Sequence, residues 1–333
     1  AEIHYVGARR GIESTLLPAT PFPHTLLDVV GLQRGISRRD LATNVRFGPL
    51  LLRARRRAGE LLAGLDPRVV VSVGGYASLP AVLAAHRRRI PIVVVSYDRH
   101  PGRSSMLTAR FAAACAVAFP DSPLQRAVVT GAPVRRAIRT VDRTGDRAAA
   151  RERLGIDGDR FLLALTGGSL GSRVLNDAVT AFVRSHADDA DLAVRHVAGP
   201  RFVDDIAVVV GAVVHQVLGY EEHMDAVYAA ADLFVGRGGA STVAEVAVTG
   251  TPAILVPWSG AAGDHQTANA AWLADQDAAV LLPESRVAEL GATIDRLRAD
   301  GALRTELGRR AANAGTPSRR GGVADLVEHV ALA

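Results

Sequence analysis

Short apolar runs alternate with longer mixed segments along most of the chain. In the first half the runs are Ile3–Val6, Val69–Val73, Ile92–Ser96, Ala116–Phe119 and Ala127–Thr130. In the second half they are Phe161–Thr166, Leu192–Val197, Val213–Val217, Leu233–Val235, Ala253–Val256 and Ala279–Leu282. Runs this short and this poor in charge read as strands covered on both faces, with helices between them. The alternation predicts an α/β fold of parallel sheets. A polar, strand-free stretch from Arg135 to Asp159 separates the two sets. Two doubly wound domains facing a central cleft are therefore expected, residues 1–140 and 141–317, followed by a helical segment over 318–333. Ile3–Val6 would be a second strand, so about thirty residues of strand, loop and helix are expected upstream of it.

In doubly wound sheets, ligands sit where strand ends lead into helices, and the glycine turns of this chain fall at such ends. The most informative run is Gly236 to Asn269. There a strand ends in Gly236-Arg237-Gly238-Gly239, and Ser241 and Thr242 open a helix carrying Glu245. After a further strand, Asp264, His265, Gln266 and Asn269 head another helix. A helix start offers unpaired N–H groups and the positive end of the dipole, which suits a phosphate. Glu245 lies one turn further in, within reach of a sugar diol. The arrangement predicts a nucleotide-sugar site.

Charge changes the picture of the first half. Residues 1–140 hold 21 arginines against 8 acidic residues, and the remainder 18 against 26, although the net formal charge is only +5. A basic half points to an anionic partner. The arginines are not interleaved with aromatics, which argues against nucleic acid. Between Ile36 and Leu62, Arg38, Arg39, Arg46, Arg53, Arg55, Arg56 and Arg57 flank Leu41, Val45, Phe47, Leu50, Leu51 and Leu52. That pattern fits an anionic membrane surface, with an ordinary solvated helix as the competing reading. No apolar run reaches the ~18 residues of a spanning helix, and no signal peptide is visible. The single cysteine, Cys115, suits a reducing compartment. A cytoplasmic protein, peripheral on the inner face of the plasma membrane, is expected.

Five ordered motifs resemble the MurG-like UDP-GlcNAc transferases of glycosyltransferase family 28. They are Gly74-Gly75-Tyr76-Ala77-Ser78, Gly131-Ala132-Pro133-Val134-Arg135, Gly167-Gly168-Ser169-Leu170-Gly171-Ser172, the Gly239–Glu245 turn and Asp264-His265-Gln266-Thr267-Ala268-Asn269. The resemblance spans nearly the whole chain. It implies GT-B architecture, an acceptor- and membrane-side domain over 1–140, a UDP-sugar domain over 141–317, and a last helix packing back on the first. It also implies an inverting transfer of GlcNAc from UDP-GlcNAc to an undecaprenyl-diphosphate muramyl-pentapeptide, without metal or cofactor, the UDP-sugar being a co-substrate.

Carried over by position, Glu245 would hold the ribose hydroxyls. Ala240, Ser241 and Thr242, with Gly167, Gly168 and Ser169 facing them, would hold the donor phosphates. Gln266 and Asn269 would touch the transferred sugar, and Tyr220 and Glu221 would border the base. Gly74, Gly75, Tyr76 and Ser78 would present N–H groups to the acceptor diphosphate, with Arg135 near the substrate phosphates. Helix starts after Ser169 and at Ser241 would stabilise the departing UDP. Tight strand-to-helix turns, helix caps and solvated side chains are the structural alternatives for each.

The chain departs from the family pattern at Val95-Ser96-Tyr97-Asp98, which replaces an H-E-Q-N segment, and at Leu170, which replaces a glutamine. Asp98 and His100 are the ionisable candidates for a base in that segment, Asp98 the better placed. These departures keep two alternatives open: a natural-product or other lipid-phosphate glycosyltransferase with a different acceptor or sugar, and an inert nucleotide-sugar-binding homologue.

Overall fold

The protein is described here by a computed structural model covering residues 2–10, 13–29 and 38–333. The chain divides into two compact units. One comprises Ala1–Tyr97, Pro101–Thr130 and Gly322–Ala333; the other comprises Asp98–His100 and Gly131–Gly321.

In the first unit, β1 (Tyr5–Ala8) pairs in parallel with β2 (His24–Leu27). A four-stranded parallel sheet follows in the order β3 (Val70–Ser72), β4 (Ile92–Ser96), β5 (Ala114–Val117), β6 (Ala127–Val129). All five residues of β4 are buried, as expected of a central strand covered on both faces. Alternate side chains enter different cores. Ile92, Val94, Cys115 and Val117 meet Ala54, Ala58 and Leu62 of the helix Arg38–Leu65 and Val82 and Ala85 of the helix Leu79–Arg87. Val93, Val95, Ala114 and Ala116 are covered by Val323, Leu326, Val327 and Val330 of the C-terminal helix, Gly322–Leu332. The last helix thus seals the second face of this sheet.

Of the basic apolar segment Ile36–Leu62, Ile36 and the side chains up to Phe47 lie outside the described residues. From Gly48 on, the helix turns Ala54, Ala58 and Leu62 inward and leaves Arg53, Arg56 and Arg57 in solvent, with Leu52 exposed beside them.

The second unit is a six-stranded parallel sheet in the order β12-β11-β10-β7-β8-β9. Its strands are β7 (Phe161–Thr166), β8 (Leu192–Val197), β9 (Val214–Leu218), β10 (Leu233–Gly236), β11 (Ala253–Leu255) and β12 (Val280–Leu281). The order runs outward from β7 to β9, then returns and runs outward the other way, as in a dinucleotide-binding sheet. Period-two alternation sets the two cores. Leu162, Ala164 and Phe234 face one helix layer, and Leu163, Leu165, Leu233 and Val235 face the other. Each such fully buried Leu, Val or Phe stabilises by about 1.5–3 kcal/mol.

Arginines of the Arg135–Asp159 stretch close the end of the helix Met224–Ala230. Arg143 donates to Tyr228 O (2.5 Å) and Ala231 O (2.8 Å), and Arg147 to Ala230 O (2.7 Å) and Asp232 Oδ1 (2.7 Å). Cations at a helix C-terminus satisfy its orphan carbonyls and oppose its dipole. Burial lowers the Arg143 pKa to about 10, and Arg147 beside it adds to the shift.

Candidate functional site

The strand order of the second unit reverses between β7 and β10, and the crevice beyond their carboxyl ends is the expected ligand position. Both predicted phosphate turns lie there. After β10, Gly239 is the N-cap of the helix Ala240–Thr249, and its carbonyl accepts the Val243 amide at 2.9 Å. The helix therefore begins one residue before the expected Ser241 opening. The amides of Ala240, Ser241 and Thr242 form its first turn, where N–H groups have no intrahelical acceptor. Close packing explains the glycine before them: a Cβ on Gly238 would lie 2.3 Å from Gln266 O.

After β7, Gly167, Gly168 and Ser169 form a loop that leads into a helix. The helix begins at Arg173, and its N-cap is Ser172, whose Oγ accepts the Leu175 amide at 3.3 Å. The loop is folded by Gly171 N–H donating to Gly168 O at 3.0 Å. Gly171 sits at φ +76°, where a Cβ would lie 2.2 Å from Ala198 O, so only glycine fits. Ser169 and Leu170 stay exposed at the tip.

One residue of the glycine turn went unnoticed in the sequence. Arg237 is 8% exposed and donates from Nη2 to Ser172 Oγ and Glu284 Oε1, both at 2.6 Å, and from Nη1 to Val256 O at 3.1 Å. A charged residue inside a G-R-G-G turn was the available signal, since such turns leave little room for a solvated side chain.

Glu245 lies on the first two turns of the helix Ala240–Thr249, facing inward. Tyr228 Oη donates to its Oε2 at 3.0 Å, and Arg135 Nη2 stands 3.6 Å from Oε1. Burial raises its pKa, and Tyr228 and Arg135 offset part of that rise. Burial and the neighbouring carboxylate push the Tyr228 hydroxyl well above its usual value. Arg135, expected among acceptor-side residues, belongs to the second unit and faces Glu245.

Two carried-over donor positions are spent internally. Asn269 is fully buried; its Nδ2 donates to Asp98 Oδ1 (3.0 Å) and Gly238 O (3.3 Å), and its Oδ1 accepts the Arg99 amide (2.8 Å). The side chain holds the Asp98–His100 segment to the glycine turn. Glu221 is 6% exposed; its Oε2 accepts from Arg195 Nε at 2.5 Å and its Oε1 from the His223 amide at 2.8 Å. Its carboxylate therefore turns inward. Tyr220 beside it is 66% exposed.

Gln266 Oε1 accepts the Trp258 amide at 3.0 Å, which fixes the loop after β11. Asp98 is half-buried, its Oδ1 engaged by Asn269, and His100 is exposed. Among the described residues, no three His, Cys, Asp or Glu side chains are grouped to hold a metal ion.

In the first unit, Gly74 (φ +87°) and Gly75 (φ +74°) follow β3 and lead through the turn Tyr76–Ser78 into the helix Leu79–Arg87. The hydroxyls of Ser78 and Ser104 donate to Gly75 O at 2.9 and 2.5 Å. Tyr76 is exposed. Ser96, at the end of β4, is buried.

The chain matches the glycosyltransferase family 28 N-terminal domain over residues 1–117 and the family's C-terminal domain over 162–319. A relative from Acidothermus cellulolyticus is 38% identical, covering 99% of this chain and 90% of its own. Another, from Clavibacter sepedonicus, is 36% identical, covering 97% and 86%. Both are named UDP-N-acetylglucosamine–N-acetylmuramyl-(pentapeptide) pyrophosphoryl-undecaprenol N-acetylglucosamine transferase. Among solved structures, MurG of Acinetobacter baumannii superposes with a TM-score of 0.76 at 28% identity, covering 97% of this chain and 89% of that one. A UDP-GlcNAc 2-epimerase from Neisseria meningitidis shares the fold, with a TM-score of 0.60 at 12% identity. With both domains matched in order and relatives this close over nearly the full length, the chain belongs to glycosyltransferase family 28, whose enzymes have the GT-B fold.

Proposed function

We propose that the chain transfers GlcNAc from UDP-GlcNAc to N-acetylmuramyl-(pentapeptide) pyrophosphoryl-undecaprenol. The observation that carries this reading is the pair of phosphate-type turns at the β7/β10 reversal, with Glu245 one helical turn beyond. It stands in a chain 36–38% identical to transferases named for that reaction. In this reading the amides of Ala240, Ser241 and Thr242, with Gly167, Gly168 and Ser169, hold the donor diphosphate. Glu245 accepts from the ribose hydroxyls, and Gln266 stands near the sugar.

The transfer is a single displacement at the anomeric carbon with inversion. Charge developing on the leaving UDP is met by backbone N–H groups and the N-terminus of the helix Ala240–Thr249. The acceptor hydroxyl needs a base, and Asp98, fixed through one oxygen by Asn269, is the candidate, with His100 second. Gly74, Gly75, Tyr76 and Ser78 hold the acceptor's diphosphate. No further cofactor is called on.

The first unit docks on anionic lipid. Arg55, Arg56, Arg87 and Arg88 rim a groove of about 460 Å³ beside Leu52, and no described helix is long and apolar enough to cross a membrane. Each arginine near an anionic surface contributes about 1 kcal/mol. Vesicles containing phosphatidylglycerol should therefore bind the protein, and reversing Arg55 and Arg87 to Glu should weaken that binding at least tenfold.

A second reading is favoured by Asn269, whose amide is already spent on Asp98, Gly238 and Arg99. It gives the same displacement with a different sugar or acceptor. UDP release assayed with UDP-GlcNAc and a short-chain lipid-linked muramyl-pentapeptide separates the two. Release that needs both substrates supports the first reading. UDP binding without release sends the search to other sugars and acceptors.

A further inference from the structure

Four neighbouring strands of the second sheet, β12-β11-β10-β7, end in loops on the same edge, and one side chain is bonded into all four. Arg237 belongs to the loop after β10. It reaches Ser172 after β7, Val256 after β11 and Glu284 after β12, at 2.6, 3.1 and 2.6 Å. Glu284 extends the network, its Oε2 accepting from Ser259 N–H at 3.1 Å and Ser259 Oγ at 2.5 Å. Ser172 is itself the N-cap of the helix that follows the Gly167–Gly171 loop.

The chemistry suits alignment more than attraction. A guanidinium presents five N–H donors in a rigid fork, so one side chain can fix several acceptors at set angles, which a lysine ammonium cannot. Its charge is matched by Glu284, and the pair is almost sealed from water, with side-chain exposures of 10% and 13%. A buried pair of this kind adds little net stability, because desolvation offsets the Coulombic gain. Burial pushes the Glu284 carboxyl up, but Ser259 and Arg237 more than offset this and hold it below its usual value.

We propose that Arg237 is a positioning residue for the donor diphosphate. It sets the spacing between the Gly167–Ser169 loop and the Ala240–Thr242 amides so that both donate to one nucleoside diphosphate. The guanidinium lies beneath the turns and does not touch the ligand. This rests on the nucleotide-sugar reading given above. A ligand that lacks the diphosphate, such as uridine, gains nothing from this alignment.

The test is the affinity for UDP, by calorimetry, and for uridine, by ligand-observed NMR, in the wild type and in Arg237→Met, Arg237→Lys and Ser172→Ala. Misaligned amides forfeit about 2 kcal/mol of charge-assisted hydrogen bonding, a loss of about thirtyfold for UDP in Arg237→Met, with uridine within about twofold. Arg237→Lys recovers only part of the loss. Ser172→Ala keeps the charge but removes both the Arg237 bond and the N-cap bond to the Leu175 amide; it weakens UDP several-fold and decides the matter should Arg237→Met not fold. If these variants keep the wild-type ratio of UDP to uridine affinity, the proposal is overturned while the nucleotide site stands. If the wild type binds no UDP, the nucleotide-sugar reading fails and this proposal with it.

Discussion

Asn269 and Asp98 stand 171 positions apart and are joined by a hydrogen bond of 3.0 Å from Nδ2 to Oδ1. The same amide bonds Gly238 O and the Arg99 N–H, so one buried side chain ties the segment Asp98–His100 to the glycine turn. Asn269→Ala would leave Asp98 and the Arg99 amide short of partners. A loss of about 2 kcal/mol is expected in urea unfolding. A double-mutant cycle with Asp98→Ala should show a coupling of about 1 kcal/mol. An Asn269→Ala protein of unchanged stability with a raised donor KM would instead support the sugar-contact role.

Glu245 has two tasks that a pair of substitutions separates. Glu245→Ala leaves the fully buried Tyr228 hydroxyl without its acceptor, at about 1–3 kcal/mol. Glu245→Gln keeps an acceptor for Tyr228 and should leave the melting temperature close to wild type. Both should weaken UDP binding by about tenfold to a hundredfold if the carboxylate accepts from the ribose hydroxyls. Equal UDP affinity in the wild type and Glu245→Gln would remove the residue from the ribose.

The strands were legible because each is a short apolar run covered on both faces; β4, β7 and β8 have the bounds read from sequence. β2 was not, since His24–Leu27 follows Pro21 and Pro23, opens with two polar residues and buries only Leu27. The turns at β7 and β10 were legible because positive φ at Gly168 and Gly171, and close backbone approach at Gly171 and Gly238, demand glycine there. Side-chain direction was not. Glu221 and Asn269 sit at motif positions, yet their polar groups are taken by Arg195, His223, Asp98, Arg99 and Gly238, partners set by the tertiary fold. Arg237 was missed for the same reason: its acceptors lie 65, 47 and 19 positions away.

A buried histidine pair should give the fold a pH dependence of known sign. Val209 N–H donates to His215 Nδ1 at 3.0 Å, which leaves the His215 proton on Nε2, facing His196 Nδ1 at 3.4 Å. His196 then carries its own proton on Nε2, toward Asn176 Oδ1 at 3.1 Å. Burial, and then His215, lower the His196 pKa from 6.5 to about 4, so the folded state favours the neutral ring. The unfolded chain takes up a proton first, and this contribution is full above pH 6.5 and lost as pH falls toward 4. The span is at most about 3 kcal/mol. Urea unfolding at pH 7.5 and 4.5 should show a smaller difference in His196→Gln than in the wild type. Equal differences would sink the assignment.

Val330 of the last helix lies against Val93, Val95, Ala114 and Ala116 at 8% exposure. Val330→Asp would place a carboxylate on that apolar face. A loss of about 3 kcal/mol and new binding of a hydrophobic dye are expected. An unchanged melting temperature would mean that the helix adds little to the first unit.

The fully buried Cys115 also has a practical consequence. Its thiol, packed within β5, has its pKa raised by burial, with Arg126 offsetting part of the rise, so it offers little thiolate to an electrophile. No other sulfhydryl exists in the sequence. A cysteine introduced on the surface would therefore be the single point of maleimide attachment. Fluorescent or spin-label reporters could be placed at chosen positions without first removing a native background.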